Sequence, residues 1–374
     1  MKPIYKNRLS ARDGHQSAPG VRVTTARPVE FHRARQGTIY HGDSLLLMAD
    51  LEPKSVNLIV TSPPFGLVRK KDYGNVDAHN YVAWFRQFGA QFKRLLKDNG
   101  SLVIDIGGAW ISGQPTRSLY HYELLIMLCK ECGFHLAQEF FWWNPARLPT
   151  PAEWVTVRRI RVKDAINCIW WLSPTPWPKA SNRRVLQVYS ERMRDLLVHG
   201  YKPMLRPSGH DISDKFGTDN GGAIPPNLLA LAHTESNSAY IRYCADHASK
   251  PHPARFPSEL PEFFIRMLTD RGDLVLDPFA GSCTTGEAAE RTGRNWICCD
   301  LEKAYIEGAL GRFQEREKAK QATLPMTDAK ASEDYYRAYK PGTLWNGTHG
   351  EPLDQAGGVK RLPKPKKAKS QTPA

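Results

Sequence analysis

The chain has 374 residues, 41% of them hydrophobic and 24% charged, a composition that excludes fibrous and intrinsically disordered classes. No run approaches ~18 uninterrupted apolar residues, so no membrane span is expected, and the first residues lack the apolar core of a secretory leader, which points to a cytoplasmic location. The net charge of +14 is concentrated at the ends: residues 1–35 hold eight basic and two acidic side chains, and residues 359–374 hold six basic and none acidic. Basic ends on a nearly neutral body suit contact with a polyanion. Of the seven cysteines, only Cys129 and Cys132 have C-x-x-C spacing, and no second pair completes a zinc site. Reduced thiols and no metal are therefore expected.

Residues 1–36 lack periodicity and read as a basic arm. Order begins with GTIYHGD, a short strand ending at Gly42-Asp43, followed by a short helix over 44–51. SVNLIVTSPPF is an apolar strand broken by Pro63-Pro64. Trp84, Phe85, Phe88, Phe92, Leu95 and Leu96 recur at helical spacing and predict a helix over 81–97, ended by Asn99-Gly100. SLVIDIGG is a buried strand, 119–132 a further helix, and FHLAQEFFWW a strand. This alternation over 37–144 predicts a doubly wound, mostly parallel α/β sheet. From 145 to 237 the pattern is irregular and rich in Pro, Arg and Trp, with Trp142, Trp143, Trp170 and Trp171 expected in the core. Alternation returns over 238–322, with a helix at 259–268, the strand LVLDPF, a helix at 285–291, the strand NWICCD and a helix at 305–318. The tail 323–374 is polar, basic and of low complexity.

Two turns carry chemistry. LVLDPFAGSCTTGEAAE places a strand, a glycine-containing turn and a helix start in succession, and Gly281 and Gly286 let backbone approach a ligand. Thr284, Thr285 and the free amides at the helix start suit an anionic group, while Asp300, ending the next strand, suits ribose hydroxyls. The second turn, TSPPF, puts Ser62, two prolines and Phe65 just past a strand end. The prolines Pro63 and Pro64 remove two amide donors, leaving carbonyl oxygens available. With the Ser62 hydroxyl and the Phe65 ring, they suit a planar base bearing an amino group.

Together, TSPPF at 61–65 and DPFAGSCTTG at 277–286 resemble the catalytic and cofactor motifs of DNA amino-methyltransferases, in the order of the beta-class permutation. RPSGHDIS at 206–213, GGAIPPNLL at 221–229 and HPARFPSELPEFFI at 252–265 are similar to segments of the cytosine-N4 branch from restriction–modification systems. The resemblance implies a permuted methyltransferase fold and S-adenosylmethionine as cofactor. It implies that Ser62, Pro63, Pro64 and Phe65 hold the target base. Asp277, Phe279 and Gly281 would line the cofactor turn, with Thr284 and Thr285 near the methionine carboxylate. Asp300 would meet the ribose and Asp43 the adenine amine, while Arg255, Phe256 and Pro257 would cover the methionine end. Two departures stand out: Asp300 where the family often has Glu, and Cys283 where Asn or Gly is commoner.

The same resemblance makes 145–237 a target-recognition region. Arg147, Arg158, Arg159, Arg161, Lys163, Arg183 and Arg184 are candidates for phosphates or base edges, and Arg206, Ser208 and His210 for a similar role. The implied partner is double-stranded DNA, with a restriction endonuclease sharing the target sequence but no stable complex, and the enzyme is expected as a monomer. Methylation of cytosine C5 needs a Pro-Cys nucleophile, and no such dipeptide occurs. Adenine N6 remains an alternative to cytosine N4, because the same pocket logic serves any exocyclic amine; family adenine enzymes usually carry Asp or Asn at the position of Ser62. A binding protein without turnover, or a methyltransferase of RNA or small molecules with the same fold, are the readings from other classes.

Overall fold

A computed structural model describes residues 26–66, 77–200, 217–232 and 238–322. Most of both basic ends, and the segment with Arg206, Ser208 and His210, lie outside the described residues. The elements run β1 (Val29–Arg33), β2 (Gly37–His41), α1 (Ser44–Asp50), β3 (Val56–Thr61), α2 (Tyr81–Leu95), β4 (Leu96–Ile106), α3 (Tyr120–Lys130) and β5 (His135–Trp143). They continue β6 (Ile166–Ser173), α4 (Glu191–His199), β7 (Leu228–Ala230), α5 (Ala239–Asp246), α6 (Glu259–Leu268), β8 (Leu274–Asp277), α7 (Thr284–Thr292), β9 (Asn295–Asp300) and α8 (Lys303–Ala322).

The strands form one nine-stranded sheet in the order β1-β2-β9-β8-β3-β4-β6-β5-β7. Pairing is parallel from β2 across to β4 and between β5 and β7, and antiparallel at β1 and on both sides of β6. The expected doubly wound, mostly parallel sheet is present. Its central strands read as apolar runs because both faces are covered. Leu58, Val60, Val103 and Val275 point into one core beneath α6, α7 and α8, where Phe264, Ile265, Ala288 and Ile306 meet them. Their neighbours Ile59, Leu102, Ile104 and Leu276 point into the other, against Phe85, Phe92, Leu124 and Leu128 of α2 and α3. A period of two along each strand thus fills two separate cores.

The topology also fixes where a ligand can sit. The chain builds β3 and then β4 to one side, and later adds β8 and β9 to the other side of β3. Ligands bind in the crevice at the carboxyl ends of strands where the order reverses. Here that point lies between β3, ending in Thr61, and β8, ending in Asp277.

Several elements differ from the sequence expectation. The last residues of the expected basic arm form β1, an edge strand antiparallel to β2. The helix expected to reach 97 stops at Leu95, because Leu96 is already extended (ψ 137) and starts β4. The irregular stretch contributes β6, inserted between β4 and β5, as well as β7 and α4. Trp142, Trp170 and Trp171 are buried as expected, but Trp143 is 40% exposed at the end of β5.

Helices α6 and α7 are joined by a buried carboxylate. Glu262 accepts from Arg266 Nε at 2.7 Å and Arg291 Nε at 2.9 Å. Burial alone would raise its pKa, yet the two arginines bring it below the ordinary carboxylate value. Glu262→Leu is expected to destabilise the fold by about 3 kcal/mol in urea unfolding, since it removes the buried anion that two largely buried cations share. Glu131→Leu, which breaks the exposed pair with Arg86, should leave the urea midpoint nearly unchanged.

Candidate active site

The carboxyl ends of β2, β3, β8 and β9 surround a cavity of about 600 Å³. Ser62, Pro63, Pro64 and Phe65 line one wall, and Phe279, Gly281, Ser282 and Thr284 of the turn after β8 line another. Asp43 and His41 enter from the β2 end, Asp300 and Glu302 from the β9 end, and His252, Arg255 and Phe256 from the segment before α6. The two motifs, separated by more than two hundred residues, therefore share one space.

Each wall is held by polar contacts. Asp277 does not face the cavity; it is a buried clamp. It accepts from Thr61 Oγ1 at 2.7 Å, Thr285 Oγ1 at 2.6 Å and the Phe279 amide at 3.1 Å. Thr285 is thereby turned inward, whereas Thr284 reaches the cavity. Gly281 has φ +50, and a Cβ there would come 3.2 Å from the His252 ring, which itself lies edge-on to Tyr305 at 4.5 Å. Burial lowers His252 to about 4, so this ring is neutral at physiological pH. Asp300 holds the turn through Gly281 N at 2.7 Å and also accepts from Glu302 N at 2.9 Å. Asp43 caps α1 by accepting from Leu45 N at 2.8 Å. Arg312, buried under the turn, donates to the Ser282 carbonyl at 2.8 Å and to Glu287 at 2.6 Å. Pro257 is buried behind Arg255 and Phe256 and does not reach the cavity.

On the opposite wall, the Phe65 ring rests on Gly107. A Cβ at Gly107 would lie 2.6 Å from Phe65 Cε2, so only glycine leaves the ring in place. Ser62 Oγ donates to Asp105 Oδ2 at 3.1 Å. Asp105, on β4, also accepts from Asn167 Nδ2 at 3.1 Å, and Asn167 Oδ1 accepts from Arg147 at 3.0 Å. Burial raises the Asp105 and Asp277 carboxyls to about 6 each, against an ordinary value of 3.8. Asp105, Asn167, His252, Glu302 and Arg312 were not foreseen. The available signal was a single acid in the apolar run SLVIDIGG and a single amide in INCIWWLS.

The expected DNA-facing residues divide. The loop 144–165 leaves the carboxyl end of β5 and stands on the cavity side of the sheet. It carries Arg158, paired with Glu153 at 2.8 Å, Arg159, exposed with φ +56, and Arg161, 4.0 Å over the Trp110 ring. Lys163 donates to the Arg147 carbonyl at 3.0 Å, and Asp164 ties the loop to Arg117 at 2.9 Å. Arg183 and Arg184 lie apart from these, at the opposite, amino-terminal edge of the parallel strands. There Arg184 donates to the Thr269 carbonyl at 2.6 Å and pairs with Asp270, and the neighbouring Ser181 amide donates to Met267. The run mixing basic and aromatic residues docks α6 and turns away from the cavity.

Comparison with known proteins fits this geometry. A family model described as DNA methylase matches residues 56–311. The type II methyltransferase M.PvuII of Proteus hauseri is 50% identical over 280 residues, spanning 74% of this chain and 83% of that protein. M.Cfr9I of Citrobacter freundii is 27% identical, spanning 77% of this chain and 90% of its own length. Among solved structures, one titled PvuII DNA methyltransferase (cytosine-N4-specific) superposes with a TM-score of 0.62 at 41% identity, covering 81% of this chain and 93% of that one.

The raised carboxyls set a pH signature. A fold that holds a proton more tightly than the unfolded chain loses stability as pH rises from the unfolded to the folded pKa. For Asp105 that window runs from 3.8 to about 6. The stability advantage of Asp105→Asn over the parent should therefore grow across this range and level off above it, measured as urea midpoints at stepped pH.

Proposed function

The chain belongs to the DNA methylase family, and we propose that it transfers a methyl group from S-adenosylmethionine to the exocyclic N4 amine of a cytosine flipped from duplex DNA. The observation that carries this reading is the shared cavity, with the Ser62 proton committed to Asp105. The 41% identity to a structure titled cytosine-N4-specific supports the choice of base.

S-adenosylmethionine fits the cavity. Asp300 keeps lone pairs beyond its two backbone amides and would accept the ribose hydroxyls. Asp43 would meet the adenine amine, and Phe279 and Gly281 would line its path. The methionine carboxylate would lie at the α7 amides beside Thr284, with Arg255 and Phe256 closing that end and Pro257 backing them. Asp277 and Thr285 would hold the turn in shape. Bound there, the cofactor supplies an electrophilic sulfonium methyl.

The protein's part is positioning. Because the Ser62 hydroxyl donates to Asp105, its lone pairs are free to accept an N–H of the target amine. The Pro63 carbonyl would accept the second N–H, and Pro64 keeps the turn rigid. Two such bonds favour a pyramidal nitrogen whose lone pair is no longer delocalised into the ring. Unstacking and unpairing the base costs a few kcal/mol, and stacking on Phe65 offsets about 1–3 kcal/mol of it. Arg158, Arg159, Arg161 and Lys163, on the cavity side, are the proposed phosphate contacts. A nuclease sharing the target sequence, a monomeric enzyme and a cytoplasmic location belong to the same reading.

Incubation with methyl-labelled S-adenosylmethionine and mixed-sequence duplex DNA, followed by nucleoside mass analysis, should yield N4-methylcytosine. N6-methyladenine would overturn the base assignment, and unlabelled DNA would overturn the transfer itself. Ser62→Ala should lower kcat by at least about 100-fold with cofactor affinity unchanged. Asp105→Asn should do likewise, because its amide would donate to Ser62 and turn the hydroxyl proton toward the amine.

A further inference from the structure

We infer that Asn167 and Arg147 are positioning residues for methyl transfer: with Asp105 they form a relay that fixes which way the Ser62 hydroxyl points. The inference rests on the reading of Ser62 as acceptor of the target amine, and deepens it.

The relay has one satisfied arrangement. Arg147 is a donor only, so the Asn167 carbonyl must face it, at 3.0 Å. That forces the Asn167 NH2 toward Asp105 Oδ1, at 3.1 Å, and leaves Asp105 Oδ2 to receive the Ser62 proton, also at 3.1 Å. A flipped amide would set its oxygen against the carboxylate and its NH2 against the guanidinium. Asn167 is 5% exposed, so water does not readily replace the lost partners. Without the guanidinium, only the ionised Asp105 carboxylate still selects this orientation, and protonation of Asp105, which loss of the cation favours, removes that selection as well. Ser62 would then lose its fixed acceptor for the hydroxyl proton.

The relay also reaches the surface. Arg147 opens the loop 144–165, and Lys163 from the far end of that loop donates to the Arg147 carbonyl at 3.0 Å and the Pro145 carbonyl at 3.3 Å. The proposed DNA-contacting loop and the hydroxyl that receives the base are therefore joined through hydrogen bonds. The titratable and charged groups around Asp105 come from four segments. Arg147 favours its ionised form; Tyr120 of α3 and Cys168 of β6 are both kept protonated by burial; Arg117, from the segment after β4, acts on those two.

The test is single-turnover methyl transfer at saturating DNA, across pH, for the parent, Arg147→Met, Arg147→Lys and Asn167→Ala. In Arg147→Met and Asn167→Ala the rate should fall by roughly ten- to a hundred-fold with S-adenosylmethionine affinity unchanged. Removing the cation, or the amide donor, raises the Asp105 pKa, so the acid limb of the profile should move to higher pH. Arg147→Lys, keeping charge and a donor, should recover part of both. Parental rates at saturation, with only the DNA KM altered, would overturn the relay and leave Arg147 a phosphate contact. A lower rate with an unmoved acid limb would overturn it too, as a loss of structure alone. If Asn167→Ala fails to fold, the two Arg147 variants decide. A parent that makes no methylcytosine would instead overturn the underlying function.

Discussion

A buried carboxylate at the point where the sheet reverses its order holds the two halves of the site together. Asp277 ends β8, yet receives one proton from Thr61 at the end of β3 and another from Thr285 at the start of α7. Strand pairing alone sets β8 beside β3, through Leu58 with Val275 and Ile59 with Leu276. It would not fix the angle at which each turn leaves its strand. The three donors to Asp277 do so, because each contact removed would leave a buried donor or a buried charge without compensation. The base-holding turn and the cofactor turn consequently face one cavity at a set separation. A transfer reaction whose rate depends on in-line geometry requires such a separation.

The same arrangement has an electrostatic consequence. Two buried carboxylates, Asp277 and Asp105, flank the cavity, and burial raises both. One acts on scaffold and the other on Ser62, and each is a buried carboxylate whose desolvation is offset by the hydrogen bonds it accepts. Sites that must hold such groups are commonly less stable than their surroundings, and the surrounding hydrogen bonds offset the difference. Arg312 and Asp300 supply that support on the cofactor side, Asn167 and Arg147 on the base side.

Basic residues near each other in sequence serve opposite edges of the molecule. The loop 144–165 rises from the carboxyl end of β5 because β5 runs parallel to β4, and so stands on the cavity side of the sheet. After β6 the chain has crossed to the other edge, since β6 is antiparallel. Lys179 and Arg184 meet Asp270 and Asp273 there. A strand of eight residues thus sets which of these cations lie on the cavity side of the sheet and which on the opposite edge.

Much of this was legible in the sequence. Apolar runs ending in TSPPF, DPFAGS and CCD marked the central strands, and helical spacing of Phe85, Phe88 and Phe92 marked α2, because burial on both sides of a sheet imposes those local periods. The turns themselves, with Ser62, Phe65, Gly281 and Asp300, were readable because local backbone chemistry specifies them. What the sequence left open were contacts between distant segments: the insertion of β6 between β4 and β5, the inward turn of Thr285 and Asp277, the docking of Arg184 on α6, and the chain of Asp105, Asn167 and Arg147 behind Ser62. Periodicity reports which face of a segment is buried. Which partner a buried polar atom meets depends on how strands pair across the whole sheet, and only the tertiary structure decides that.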